Sequence, residues 1–327
     1  MDRYKSFFRG IAYAGYCIVF LFAVYTFEKS IPDQIYVKAG EAIDYQFQVP
    51  VTMEIQEDSS PVAKSTNNAN VRQSYIVTCR LFGIFPVKDI EVVLVDGDAV
   101  YAGGMPIGIY VKTRGVLVIG TSEVERPDGS EAAPAENILK AGDYILSVNG
   151  EKVAEKEDLQ RLVQQNGAEK EILKINRKGE EVEVGVTPVQ NKNGTYMLGA
   201  WVRDDLAGIG TLTYYKEDGT YGALGHAVSD GDVGERIQMR EGYVYNAQII
   251  GVKKGQKGNP GELSGMIRYQ SADCLGTIEE NTDIGIYGKL DGNIAALPRG
   301  DYYNICYKQD IKQGPATIIC GFTGEKK

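Results

Sequence analysis

The 327-residue chain has little of what metal sites and nucleic-acid surfaces are made from. It contains one histidine, His226, and five cysteines, and no two cysteines have Cys-x-x-Cys spacing. Because zinc sites are usually built from such cysteine pairs together with histidines, we expect no metal, no metal-dependent catalysis and no other cofactor. No run of five lysines or arginines is present and the net charge is −9, so we also expect no nucleic-acid partner.

The scarcity of cysteine also limits the disulfides that can form. Cys17 lies in an apolar N-terminal run, which leaves Cys79, Cys274, Cys306 and Cys320. If this part of the chain is exported, these four cysteines allow up to two disulfides in any of three pairings. Buried free thiols are the alternative interpretation.

Glycine and tyrosine, in contrast, are abundant. The chain has 39 glycines in 327 residues, about 12 % against a typical value of roughly 7 %, and 21 tyrosines. Apolar residues make up 43 % and charged residues 24 %, which is the composition of a folded protein. This combination favours short strands and tight turns, so we predict a mainly β protein.

One long uncharged run lies near the N-terminus. Residues 10–27 carry no charge, and their length is close to the roughly 20 residues that a bilayer-spanning helix needs. Arg3, Lys5 and Arg9 precede the run, so the positive-inside rule predicts a cytoplasmic N-terminus and export of everything beyond it. A cleavable signal peptide is the alternative, although residues 22–30 offer no small-x-small cleavage site.

The segment after the anchor is predicted to form a small β unit. Apolar residues alternate with mostly polar ones over residues 45–55, which is typical of a half-buried strand. A polar stretch without apolar periodicity, residues 56–72, is expected to be a loop. Strand-like runs follow at 74–81 and 90–95.

A second unit follows from about residue 99 to residue 190. Leu159, Leu162 and Val163 have the i, i+3, i+4 spacing of an amphipathic helix, and Asn149-Gly150 is a strong hairpin signal. The predicted order is two strands, a short helix, a strand, the amphipathic helix and two closing strands, at residues 105–111, 115–119, 134–143, 144–148, around 159–163, 172–176 and 182–186.

This order, and the string Ala-Gly-Asp-Tyr-Ile-Leu-Ser-Val-Asn-Gly-Glu-Lys-Val at 141–153, resembles a PDZ domain of bacterial envelope proteases. In that family a peptide C-terminus adds to the sheet as a strand, and backbone N–H groups of a glycine-containing loop hold its carboxylate. The resemblance implies that the peptide-binding loop is Ile107, Gly108, Ile109, Tyr110 and Val111. A strand edge that binds nothing is the alternative.

Beyond Pro188 the sequence predicts a β-hairpin that carries the single histidine. The first strand covers 207–215, Asp218-Gly219 forms the turn, and the return strand runs over 221–226 and ends at His226. A histidine fixed at the end of a strand can serve as a general base in a serine protease. A structural or partly exposed histidine is the alternative.

The strings at residues 198–230, 258–263 and 276–288 resemble the SpoIVB family of stage IV sporulation serine peptidases. The resemblance runs from about residue 73 to the end of the sequence, and the predicted anchor agrees with the family's membrane-tethered layout. It implies a trypsin-like endopeptidase exported into the space between the two membranes around the forespore. There such an enzyme cleaves a membrane-bound regulator and thereby triggers activation of a late sigma factor, and its PDZ domain governs self-cleavage and substrate recognition.

The resemblance transfers only part of the family's catalytic machinery. His226 matches the catalytic histidine, but the Gly-x-Ser-Gly-Ser-Pro motif of the nucleophile and the aspartate upstream of it do not occur in the 327 residues. We therefore expect an incomplete and inactive reading frame, with a genuine short homologue as the alternative. Ser264 is a poor substitute for the nucleophile, and Asp230, Asp232 and Asp283 could each be a turn residue or a solvated carboxylate, so none receives a catalytic role.

The expected fold class is mainly β with an N-terminal transmembrane helix, a PDZ domain and an incomplete trypsin-like β-barrel peptidase domain. The predicted domains are a cytoplasmic tail and anchor, a small β unit with linker, the PDZ domain and the truncated peptidase, at 1–30, 31–98, 99–190 and 191–327. The expected function is that of a membrane-anchored serine endopeptidase acting on a membrane-bound protein. The alternative is an anchored, non-catalytic PDZ module that binds peptide C-termini.

Overall fold

The structure is a computed structural model. It describes residues 24–38, 51–55, 62–64, 72–95, 99–291 and 301–321, together with the single positions 15, 22, 43 and 297. Most of the anchor predicted at 10–27 lies outside these residues, as do 45–50 of the first predicted strand and most of the loop predicted at 56–72. No helix in the described part of the chain is both long and apolar enough to cross a membrane.

The chain divides into two compact units. The first consists of Met1–Ala99 and Asn304–Ala316, and the second of Val100–Tyr303 and Thr317–Lys327. The segment predicted as the PDZ domain lies in the second unit except for Ala99, and the segment predicted as the peptidase lies there except for Asn304–Ala316.

The first unit is a small sheet, preceded by helix α1, which is described over residues 24–30. In the described residues the strand order is β1-β5-β4-β2, with β3 beside β4, and β1 runs parallel to β5. The strands are β1 Gln34–Lys38, β2 Val51–Ile55, β3 Val62–Lys64, β4 Arg72–Leu81 and β5 Phe85–Val95. Alternate residues of β4 and β5, among them Val77, Cys79, Ile90 and Val92, form the buried core.

The second unit begins with β6 and contains a closed ring of strands. Within the described residues, the pairing of β7 with β16 closes the path β7-β18-β20-β21-β17-β16. The strands up to β13 are β6 Ala99–Ala102, β7 Pro106–Thr121, β8 Val124–Glu125, β9 Glu131–Ala132, β10 Tyr144–Val148, β11 Glu151–Lys152, β12 Glu171–Arg177 and β13 Glu180–Val186. The remaining strands are β14 Val189–Gln190, β15 Tyr196–Met197, β16 Ala200–Tyr215, β17 Thr220–Ala223, β18 Met239–Lys253, β19 Glu262–Ile267, β20 Cys274–Thr282, β21 Gly285–Leu290 and β22 Tyr302–Asn304.

A helix-bearing part is built onto one side of this ring. It consists of β13, β12 and β10 in sheet order, the second half of β7, and helix α2, Lys156–Asn166. Leu159, Leu162 and Val163 are the buried residues of α2, as their spacing predicts. They pack into one apolar core with strand residues such as Val116, Ile145, Leu173, Ile175 and Leu198.

The two longest strands, β7 and β16, pass through both the ring and the helix-bearing part. They pair antiparallel from Ala200 opposite Thr121 to Thr211 opposite Pro106. β7 turns from one part to the other at Gly115, whose φ is +89°, and a Cβ there would lie 2.5 Å from a backbone oxygen of Ile145. The two separate strands predicted at 105–111 and 115–119 are therefore one strand with a glycine at its bend.

One predicted helix is wrong. Residues 134–143 form a series of turns rather than a helix. Asn137 adopts a positive φ of +59°, which is incompatible with a continuing right-handed helix. Leu139 and Ala135 are nevertheless buried in the core, so this segment supplies apolar contacts without regular helical structure.

Glu171, at the start of β12, is a buried carboxyl with incomplete hydrogen bonding. Asn166 Nδ2 donates to its Oε1 over 3.4 Å, and no described residue donates to its Oε2. Burial raises the pKa of Glu171 above its ordinary value, and the Asn166 contact offsets this only in part. The ionised side chain therefore destabilises the fold at neutral pH.

Replacing Glu171 with glutamine is expected to stabilise the second unit at pH 7 by about 1 kcal/mol, or roughly 2–4 °C in Tm. Because the pKa is raised in the folded state, the wild-type carboxyl makes its full contribution to stability below its unfolded pKa. This contribution is lost as the pH rises through the folded pKa. The gain should thus disappear at about pH 4. Thermal unfolding followed through Trp201 fluorescence measures it, and the exposed Glu169→Gln is the control. An equal gain in both variants, or a gain at both pH values, would contradict this explanation.

Candidate functional site

His226 lies on an exposed loop rather than at the end of a strand. β17 ends at Ala223, three residues earlier, and Leu224 adopts a positive φ of +65° as the chain leaves the strand. The Nδ1 atom of His226 lies 2.8 Å from the backbone oxygen of Ala227. Since a carbonyl oxygen can only accept, Nδ1 carries the hydrogen, and in the neutral ring the lone pair is then on Nε2.

The three aspartates considered as partners of this histidine are paired with arginines instead. The Asp230 carboxylate is buried and accepts a hydrogen bond from the Arg203 guanidinium. Asp232 lies 3.1 Å from the same guanidinium, and Asp283 lies 3.2 Å from that of Arg236. Among the described residues, none of the three makes a hydrogen bond to the histidine ring.

Ser264 lies away from this loop. It is exposed on β19, where its backbone is opposite Gly251 of β18 in a two-stranded extension of the ring. This position is an extended strand rather than a nucleophile turn, and in the described part of the chain Ser264 makes no hydrogen bond to the histidine loop.

The prediction of a peptide-binding loop at residues 107–111 is corrected by the strand pairing. These residues lie inside β7 and are paired with β16 on one edge and with β18 on the other. Gly108 is needed there because the Ile267 side chain covers it, at 2.5 Å from where a Cβ would be. A strand with both edges occupied has no backbone groups for an added peptide, and this geometry does not hold a carboxylate at Ile107, Gly108, Ile109, Tyr110 and Val111.

A free strand edge instead lies beside α2, along residues 200–204 of β16. One edge of this segment pairs with β7, and no strand of the described chain pairs with the other. Lys156, the first residue of α2, donates its backbone N–H to Asp204 Oδ2 over 2.9 Å. Near the other end of the helix, Gln164 Nε2 donates to the Tyr196 backbone oxygen over 2.8 Å. We call the space between this strand edge and α2 the β16–α2 groove.

A tight loop lies at the start of the groove strand. Gly199 has a φ of +68°, and a Cβ there would lie 2.7 Å from the backbone oxygen of Ser122. Leu198 anchors the loop in the core of the helix-bearing part. A glycine-containing turn before an edge strand is the arrangement expected for 107–111, and it occurs at 198–200 instead. The sequence contains a signal for this turn, because Gly199 comes just before an apolar run.

The other end of the groove is polar and charged. A cavity of about 130 Å³ opens there, lined by Tyr110, Lys112, Glu155, Lys156, Glu157, Asp204 and Asp205. The Tyr110 hydroxyl donates to Asp205 Oδ2 over 2.9 Å, and burial, this bond and the nearby carboxylates raise the pKa of Tyr110 to about 12. Burial opposes ionisation of Asp204, but its bonds to Lys156 prevail and lower the pKa of Asp204 below its ordinary value.

The described side chains that could bind a metal ion are not clustered, and the described cysteines are not paired. Across the described ranges, no group of three or more His, Cys, Asp or Glu side chains could hold a metal ion. Cys79, Cys274, Cys306 and Cys320, the cysteines that these ranges include, are free thiols.

Two family models match separate segments of the chain. The PDZ domain family model matches residues 127–177, and the SpoIVB peptidase S55 family model matches residues 194–327. A crystal structure of the PDZ domain of the SdrC-like protein from Listeria monocytogenes is 18 % identical, covering 27 % of this chain and 87 % of that one, with a TM-score of 0.23. No curated protein matches the chain.

Replacing Asp204 with asparagine is expected to destabilise the second unit by about 1 kcal/mol at pH 7, because the start of α2 loses a charged acceptor. The lowered pKa means that the wild-type carboxylate stabilises the fold above its unfolded value near 3.8 and that this is lost as the pH falls through the folded pKa. The difference should therefore shrink at about pH 3. Urea unfolding followed through Trp201 measures it, with the exposed Glu157→Gln as the control. An undiminished difference at low pH would contradict an electrostatic origin.

Proposed function

Because the chain is a SpoIVB-like protein with a peptidase S55 region and a PDZ domain, we propose that it acts as a serine endopeptidase with His226 as the general base. The observation that carries the proposal is the family match over residues 194–327, which includes the loop of the single histidine. A peptidase of this class needs a base that takes the proton of a serine hydroxyl as the serine attacks the peptide carbonyl.

The geometry of His226 is compatible with this role. Its Nδ1–H is held by the Ala227 carbonyl, so the ring is oriented by the backbone where serine peptidases commonly use an aspartate. Its Nε2 is the atom that would accept the proton, and the side chain is exposed to an incoming substrate. The described residues do not bring a serine hydroxyl to this nitrogen.

The biological role that we propose follows the family. The enzyme would be anchored through residues 10–27, exported into the space around the forespore, and would cleave a membrane-bound regulator so that a late sigma factor becomes active. The uncharged run of 18 residues behind Arg3, Lys5 and Arg9 supports the anchor and its orientation. The sequence has no run of five lysines or arginines, which agrees with a protein substrate rather than a nucleic acid.

A second candidate function is peptide binding by the PDZ domain. It is favoured by the free edge at residues 200–204, which lies beside α2 and follows the glycine turn at Gly199. In PDZ domains a peptide C-terminus adds to a strand edge of this kind, and backbone amides at the strand's start hold the carboxylate. We propose the β16–α2 groove as that binding site, as a substrate-recognition site of the peptidase or as the whole function of the chain.

Replacing His226 with alanine in the full-length natural protein is expected to slow labelling by a fluorophosphonate probe by about 10⁴-fold or more, because the serine loses its base. Since His226 is exposed and outside both cores, thermal stability should change little. Gel detection of the labelled protein in both variants measures the effect, with circular dichroism to verify folding.

Three results of this experiment are informative. Labelling that depends on His226 supports the peptidase proposal. Labelling that is unchanged in the variant overturns the role of His226 as the base. A natural protein that takes no label at all contradicts the peptidase proposal and leaves peptide binding as the remaining candidate.

Peptide binding is expected to change the fluorescence of Trp201, because this single tryptophan lies on the strand that borders the groove. A peptide library with free C-terminal carboxylates should contain members that bind with micromolar affinity, and their C-terminal amides should bind at least about tenfold more weakly. Titration of matched carboxylate and amide pairs measures this. Equal binding of both forms would contradict a carboxylate-holding loop at residues 198–200.

A further inference from the structure

The loop that carries His226 is attached to the PDZ domain as well as to the ring. We call residues 224–238, between β17 and β18, the His226 loop. At its C-terminal end the backbone of Gln238 bonds to two residues of the PDZ domain. Its N–H donates to the Tyr144 hydroxyl over 3.1 Å, and its carbonyl accepts from the Arg114 N–H over 2.8 Å.

The buried carboxylate of Asp230 holds the middle of this loop. One oxygen accepts the backbone N–H groups of Asp232 and Val233, at 2.8 and 3.0 Å. The other oxygen accepts from the Arg203 guanidinium, which also reaches Asp232 at 3.1 Å. Burial opposes the charge, yet these bonds lower the pKa of Asp230 below its ordinary value, so the carboxylate is ionised at neutral pH.

Arg203 belongs to the strand that borders the β16–α2 groove. It precedes Asp204, which binds the N-terminus of α2 through both the backbone N–H and the Nζ of Lys156. The register of β16 against β7 shifts between Arg203 and Asp205. Two consecutive side chains of one strand thus contact the groove helix and the His226 loop.

The ring provides a separate attachment for the same loop. Asn281 on β20 accepts the Val228 N–H over 2.8 Å and donates to the Val228 and Ile237 carbonyls over 2.9 and 3.3 Å. The two attachments differ in what they connect, because the Asn281 bonds join the loop to the ring alone. Among the described residues, the contacts of Arg203 with Asp230 and Asp232 are the ones that lead from the loop to the edge of the groove.

We propose that Arg203 is a positioning residue that couples the β16–α2 groove to the His226 loop. A strand added along residues 200–204 would fix this edge of β16 and with it the guanidinium that holds Asp230, so the loop becomes more ordered when the groove is occupied. Coupling of this kind is reciprocal, so loosening the loop must weaken the groove by the same factor. The coupling itself does not depend on the proposed function. Only the role of His226 as the base and the role of a peptide as the groove ligand rest on it.

Hydrogen exchange of the full-length protein tests the coupling without a ligand. In Arg203→Ala, amides of 230–238 should exchange about tenfold faster or more, and those of the first turn of α2 should also exchange faster. In Lys156→Ala, which changes only the groove side, exchange in the His226 loop should rise as well. Arg236→Ala is the matched control, because its ion pair with Asp283 is exposed on the same loop, and its exchange should equal that of the wild type.

A second variant guards against unfolding of the first. Asp230→Asn keeps the amide-accepting oxygen and the side-chain volume but removes the charge that Arg203 meets, and it should reproduce the faster exchange at both places. The coupling is overturned if Lys156→Ala leaves the loop unchanged and Arg203→Ala leaves α2 unchanged. It is also overturned if Arg236→Ala has the same effect as Arg203→Ala.

Fluorophosphonate labelling separates failure of this inference from failure of the proposed function. In a protein that takes the label, Arg203→Ala should reduce the labelling rate about tenfold and Arg203→Lys should restore part of it, because lysine keeps one of the two charged contacts. Unchanged labelling in Arg203→Ala contradicts the positioning role. If no variant takes the label, the peptidase proposal fails, and the exchange measurements alone decide whether the coupling exists.

Discussion

The antiparallel ladder between β7 and β16 is the constraint on which the second unit depends. Both strands are 16 residues long, and each contributes one half to the ring and the other half to the PDZ domain. Gly115 lets β7 bend between the two halves, and β16 shifts register at Arg203–Asp205 opposite this bend. Because each core contains residues of both strands, we expect the PDZ domain and the ring to unfold together.

The ladder also determines which strand edges are free. It occupies β7 on the edge facing β16, and β18 occupies the other edge of the ring half. The free edge is displaced outward by one strand, to residues 200–204, where α2 forms the opposite wall. The edge that we propose for peptide binding and the contact with the His226 loop therefore lie on the same strand. In the proposed peptidase, this arrangement would link substrate binding with the position of the base.

Local patterns in the sequence predicted much of this fold. The strand at Tyr144–Val148, the turn at Asn149-Gly150 and the apolar face of α2 each depend on neighbouring residues, and the structure contains all of them. The helix expected at 134–143 is absent because Asn137 adopts a positive φ, which helix propensity does not predict.

The candidate site was harder to predict because its properties depend on distant partners. Whether residues 107–111 present a free edge is decided by β16 and β18, which follow about a hundred residues later and more. Likewise, no local signal shows that Asp230 faces Arg203 rather than the histidine.

Native-state hydrogen exchange tests the shared ladder most directly. Protected amides of Ile175 in the PDZ core and of Val244 in the ring should open with the same free energy and the same denaturant dependence. Two distinct opening free energies would contradict the account.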